Sequence, residues 1–172
     1  MRYKIFRFAI LIAIYLTACS SNVLSEKDSS FENVAPVSME AMNRQITLSL
    51  PALYEGIYEP KAGETLHLEI QNHTNEIMYF PSDYGVSVYR YYENNWTTIE
   101  NLLEGHYYPI SNRSIFPRGE NSLGVAMISV APALTDLQAP IELRIVVLGS
   151  FSHQDVNNSD QIGAYLDILL EP

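Results

Sequence analysis

The sequence predicts an all-β fold, an antiparallel β-sandwich of about seven to nine short strands, on three observations. Its dominant hydrophobic period is two, turn-forming clusters separate the alternating runs, and no window carries a convincing amphipathic helix. In chain order, "ITLSL" sets Ile46, Leu48 and Leu50 on one face. "TLHLEI" does the same with Leu66, Leu68 and Ile70, and "EIMYF" is a short apolar run stopped by Pro81. "GVSVYRYY" alternates again, with Val86 and Val88 inward and Tyr89 and Tyr91 outward together. "LGVAMISV" is apolar on both faces, as in a central strand. "IELRIVVL" alternates at first and ends wholly apolar, and "AYLDILL" sets Ala164, Leu166, Ile168 and Leu170 against Tyr165, Asp167 and Leu169. Between them lie turn clusters such as "PKAGE", "QNHTNE", "PSDYG", "ENN", "PRGEN" and "HQDVNNSD".

Residues 1–18 have the zones of an export signal: Arg2, Lys4 and Arg7, then an uncharged run from Phe8 to Leu16, then Thr17 and Ala18. That run falls short of the about 20 apolar residues a membrane-crossing helix needs. The only cysteine, Cys19, follows directly in "LTAC". This stretch resembles the lipobox of bacterial lipoproteins. The resemblance implies cleavage before Cys19 and a lipid thioether on its sulfur, holding the chain to a membrane. Ser20 stands where an Asp would imply inner-membrane retention, which implies the outer membrane in a cell that has one. Stable attachment takes two or more acyl chains, since one chain alone, at about 0.8 kcal/mol per buried methylene, holds only marginally.

Residues 19–39 are polar, rich in Ser and Asn and without periodicity, and read as a lipidated cysteine with a flexible tether. Residues 40–172 read as one folded domain with no internal repeat. Three of the ten Lys and Arg fall in the leader and none of the twenty Asp and Glu do. After the leader, seven bases face twenty acids, a net formal charge of −13. That balance excludes nucleic acid as a partner and a polybasic grip on anionic lipid.

"GETLHLEIQNHTNEIMYF", "YGVSVYRYYENNWTTI", "SIFPRGENSLGV" and "LRIVV" together resemble bacterial immunoglobulin-like domains of extracytoplasmic proteins. The outline is a strand ending in Asn, a strand with a variable tip and a Trp, a Pro-Gly turn and a late Arg-containing strand. The resemblance implies an immunoglobulin-like β-sandwich, without the two core cysteines of antibody domains. A similar outline in the bacterial intracellular proteinase inhibitors implies an alternative, with a loop such as "PSDYG" entering a protease cleft.

No catalytic motif stands out, and the reading is non-catalytic, with no cofactor and no metal. His67, His73, His106 and His153 sit on separate segments without ligand spacing. Glu100 with Glu104, and Asp155 with Asp160, are acid pairs of the kind glycosidases use, but sequence does not fix their separation. "DVNNSD", Asp155 to Asp160, is similar to the start of a calcium loop yet lacks its later Gly and Glu. The expected contact residues are Tyr89, Tyr91 and Tyr92, whose rings suit an envelope protein or a polysaccharide. Trp96 is expected in the sandwich core, and Arg90 and Arg144 along apolar surface. The functional expectation is a lipid-anchored, extracytoplasmic binding or structural protein of the cell envelope; a carbohydrate-binding module or a hydrolase is the remaining alternative.

Overall fold

A computed structural model of the 172-residue chain describes residues 25–51, 59–103, 112–119, 124–135, 137–153 and 161–172. Among them are nine strands and one short helix. The strands are β1 (Ile46–Ser49), β2 (Leu66–Asn72), β3 (Met78–Phe80), β4 (Ser87–Tyr92), β5 (Asn95–Ile99), β6 (Arg113–Ile115), β7 (Val125–Val130), β8 (Ile141–Gly149) and β9 (Ile162–Leu170). The helix, α1, spans Glu26–Glu32. The chain is thus all-β in its architecture, and every pairing between these described strands is antiparallel.

The strands form a sheet of order β1-β2-β7, a pair β3-β6 and a sheet of order β5-β4-β8-β9. One apolar interior draws on all three: Ile46 and Leu48, Leu66 to Ile70, Ile128 and Val130, Met78 and Phe80, Ile115, Val88, Leu143 to Val147, and Ala164 to Leu170 at alternate positions. Burial of these side chains is the main stabilising term, worth about 1.5–3 kcal/mol for each large aliphatic one. The period-two reading holds for β1, β2 and β9, where Ala164, Ile168 and Leu170 are buried and Asp167 and Leu169 exposed, whereas β8 is buried on both faces from Leu143 to Val147.

Two turns fix the register. Tyr92 pairs with Asn95 across Glu93 and Asn94, both at positive φ (50° and 59°), the two-residue hairpin geometry whose twist matches the strands it joins. Asn72, the residue that ends β2, is buried and fully used. Its amide donates to the carbonyls of Glu76 and Ile115, and its Oδ1 accepts from the amide and hydroxyl of Thr74.

Two expectations need correction. "LGVAMISV" forms β7, which pairs with β2 alone among the described strands and so stands at a sheet edge; the outward Met127 is 55 % exposed. The tether expected over residues 19–39 is folded from Ser25 onward. Residues 25–43 form a strap across the outer face of the β5-β4-β8-β9 sheet, and Phe31, Met39 and Met42 are buried beneath it. The physical reason is visible on β8: its second face carries Val146 and Leu148, apolar surface that a solvent-facing sheet would not present.

Candidate functional site

Among the described residues, the strap and the face it covers form a dense arrangement of charged and aromatic side chains. Ser25 caps α1: its Oγ accepts from the amide of Asp28 and donates to the Asp28 carboxylate. This turn points Asp28 and Phe31 at the sheet. Phe31 is fully buried, edge-on to Tyr89 (5.0 Å) and to Trp96 (5.2 Å). Trp96 Nε1 donates to the carbonyl of Lys27 at 3.1 Å, which fixes the helix along the sheet.

At the centre lies Arg144 of β8, only 1 % exposed. A charge so far from water requires opposite charges and acceptors around it. Asp167, its cross-strand partner on β9, takes Nε at 2.7 Å and Nη2 at 2.8 Å in a two-pronged contact. Asp28 of the strap takes Nη2 at 2.7 Å. Three rings enclose the guanidinium: Tyr165 at 4.2 Å, Phe31 at 4.7 Å and Trp96 at 4.8 Å. Lys27 adds a second cation, bonded to Glu142 at 2.8 Å and Asp167 at 3.3 Å.

The protonation chemistry follows from this packing. Burial alone would raise the Asp28 carboxyl, but the hydrogen bonds from Arg144 and Ser25 and the nearby positive charge bring it below its ordinary value. Burial likewise opposes charge on Lys27, and Glu142 and Asp167 more than offset it, leaving the ammonium harder to deprotonate. Burial pushes the Tyr89 and Tyr165 phenols up.

The strap also closes against β9. Gly163 lacks a side chain where Val37 Cγ2 would stand 2.9 Å from a Cβ, so the strap can lie directly on the strand. Asn43, at φ +59°, then donates its amide to Gly163 O and accepts from the Tyr165 amide.

The three expected contact tyrosines are divided by this geometry. Tyr89 is buried under the strap, 8 % exposed, and Tyr91 is half-buried beside Trp96 at 5.0 Å. Only Tyr92 stands open, 54 % exposed, with the Arg90 guanidinium over its ring at 4.8 Å. Trp96 is buried as expected, but outside the inter-sheet core, because its pairing with Tyr91 puts it on the outer face. Arg144 lies over apolar rings as expected, and its two carboxylate partners went unread.

Cys19, His106, Glu104 and Asp155 to Asp160 fall outside the described residues. Among the described residues, no three His, Cys, Asp or Glu side chains come together as a metal site. His67 and His73 are exposed and bond Ser129 and Thr47, while His153 packs edge-on against Tyr79. Among the described residues no helix is long and apolar enough to cross a membrane.

The chain matches no protein-family model and no curated protein.

A second feature lies on the other side of the molecule. A groove of about 490 Å³ runs beside β7, with Tyr84, Leu103 and Met127 among its apolar walls and Thr65 and Arg113 among its polar ones. The "PSDYG" loop, expected as a protease-entering loop, is half-buried and supplies the Tyr84 wall. Tyr84 packs on Phe80, with ring centres 5.5 Å apart, and its carbonyl accepts from the Leu148 amide.

Proposed function

We propose that this protein is a lipid-anchored, extracytoplasmic component of the cell envelope. Its immunoglobulin-like sandwich binds or positions another envelope component without catalysis. The observation that carries the reading is the clamp on Arg144. It begins at Ser25, shortly after the "LTAC" stretch, and it joins that end of the chain to the sheet through ion pairs and buried rings. A lipid on Cys19 would then hold the whole domain close to the bilayer, since the few residues between Cys19 and Ser25 reach no farther than about 3.5 Å each. The antiparallel sheets β1-β2-β7 and β5-β4-β8-β9, with the pair β3-β6, around one core support the immunoglobulin-like reading. Of the expected contacts, Tyr92 with Arg90 beside the Glu93–Asn94 turn keeps the partner-facing role, whereas Tyr89 and Tyr91 serve the clamp.

The test is metabolic labelling with an alkyne fatty acid, followed by membrane fractionation, on the full chain and on Cys19→Ser. The wild type takes up label and sediments with membranes, and the variant does neither. An unlabelled wild type, or a variant that still fractionates with membranes, would overturn the anchoring.

A further inference from the structure

Acids outnumber bases twenty to ten, yet among the described bases only Lys27, Arg44 and Arg144 have a described carboxylate within 4.0 Å, and Lys61, Arg90, Arg113 and Arg118 do not. Among the described residues Arg113 has no such partner, and its Nε is shut off from water with no acceptor at all. A donor left this way is costly, and native proteins almost always fill such a need with a partner, a water or an ion. Arg90 Nε shares the condition, but only Arg113 lies in the wall of the groove.

The neighbouring wall, at Tyr84, is held in an unusual backbone state. Tyr84 is a bulky residue at φ +60°, a region such residues rarely occupy, and turn contacts around Pro81 and Asp83 keep it there. That conformation sets its ring beside the Arg113 guanidinium, 5.9 Å away, at the groove. Met127 contributes a long, adaptable and exposed thioether to the same space. At about 490 Å³ the groove has the size of a small-ligand site.

We propose that this groove binds a singly charged anion bearing an apolar group. Its carboxylate pairs with Arg113, and its apolar body lies against Tyr84, Leu103 and Met127. With Nε enclosed, the two terminal guanidinium nitrogens are the ones that fit a planar carboxylate, through two parallel hydrogen bonds. One unpaired cation balances one negative charge, whereas a doubly charged phosphate would bring surplus charge to an acidic surface. This site is independent of the anchor and of the strap.

The test uses the full chain in detergent and follows the Met127 methyl resonance, assigned with Met127→Leu. The probes are N-acetyl-phenylalanine and N-acetyl-Ala-Ala-Phe, each as the free carboxylate and as the amide. A carboxylate shifts the Met127 signal saturably, and its amide binds at least about tenfold more weakly, as loss of a charge-assisted contact requires. Arg113→Met loses about the same factor, and Arg113→Lys recovers part of it because it keeps the charge without the fork. Saturation by the acetylated amino acid identifies a free small carboxylate as sufficient; saturation by the tripeptide alone identifies a peptide C-terminus. Equal binding of acid and amide would overturn the proposal, as would wild-type affinity in a folded Arg113→Met. So would the lack of a saturable shift with every probe at millimolar concentration. Should Arg113→Met fail to fold, the acid–amide comparison on the wild type still decides.

Discussion

Replacing Arg144 by Met removes the charge at the centre of the clamp and keeps much of its volume. The variant loses both contacts to Asp167 and the one to Asp28, together with the stacking on Tyr165, Phe31 and Trp96. Breaking a buried ion pair by removing one partner costs roughly 3–5 kcal/mol. The lower end applies, about 3 kcal/mol, because the Asp28 and Asp167 side chains are 25 % and 38 % exposed and regain water when abandoned. At 1.4 kcal/mol per decade, that weakens strap closure by about a hundredfold. Trp96 is the only tryptophan and is buried under the strap, so its fluorescence reports closure directly. In a urea titration of Arg144→Met, Trp96 becomes quenchable by acrylamide before the β-sheet circular dichroism is lost. In the wild type the two transitions lie closer together. Adding Asp28→Asn to the variant costs little more, because its main partner has already gone. A variant whose Trp96 stays shielded, with both transitions where the wild type has them, would refute the view that Arg144 holds the strap.

Acid should open the strap as well. Asp28 titrates below its ordinary 3.8, so its contribution is complete above about pH 4 and is lost as the pH falls through the lowered value. Acrylamide quenching of Trp96 should rise below about pH 4, and the rise should be much smaller in Asp28→Asn. At the alkaline end the sign reverses: Lys27 titrates above 10.5, so its contribution is complete below that value and fades as the pH passes beyond it. Alkaline quenching in Lys27→Met should then lack the step that the wild type shows there. Tyr89→Ala should lower stability by about 3 kcal/mol, as aromatic truncation in a packed site does. Tyr92→Ala should leave thermal unfolding within about 0.5 kcal/mol of wild type, and equal losses in the two would contradict their different burial.

Several strands were legible because they place apolar residues at alternate positions, and β9 and the start of β8 needed nothing more; β5 and β6, with one or two apolar residues each, offered no such run. The strap was not, because α1 is seven residues long and buries one apolar side chain, Phe31, too few for a helical period to register. Two local signals were present all the same. Ser25 stands three residues before Asp28 in the spacing of a helix cap, and the "VVL" of β8 offers apolar side chains to both faces. Arg144 could be placed on a strand from sequence, but its partner Asp28 is 116 positions away, and only the folded chain brings them together. The edge position of β7 was hidden for the opposite reason. Met127 and Val125 make the strand look buried, although Met127 faces solvent.

The tie between Asn43 and β9 has a consequence for crowding. β9 is the last strand of its sheet, and the outer rim of such a strand invites another chain to add itself. Here the rim is occupied at one end by Asn43, on Gly163 and Tyr165. At the other end Pro60 and Ala62 bond the backbone of Glu171. Lys61 runs parallel to Glu171 there and continues the ladder. A neighbouring copy would have to displace both ends before it could polymerise along this rim, so the segments flanking β1 act as guards against strand-to-strand aggregation.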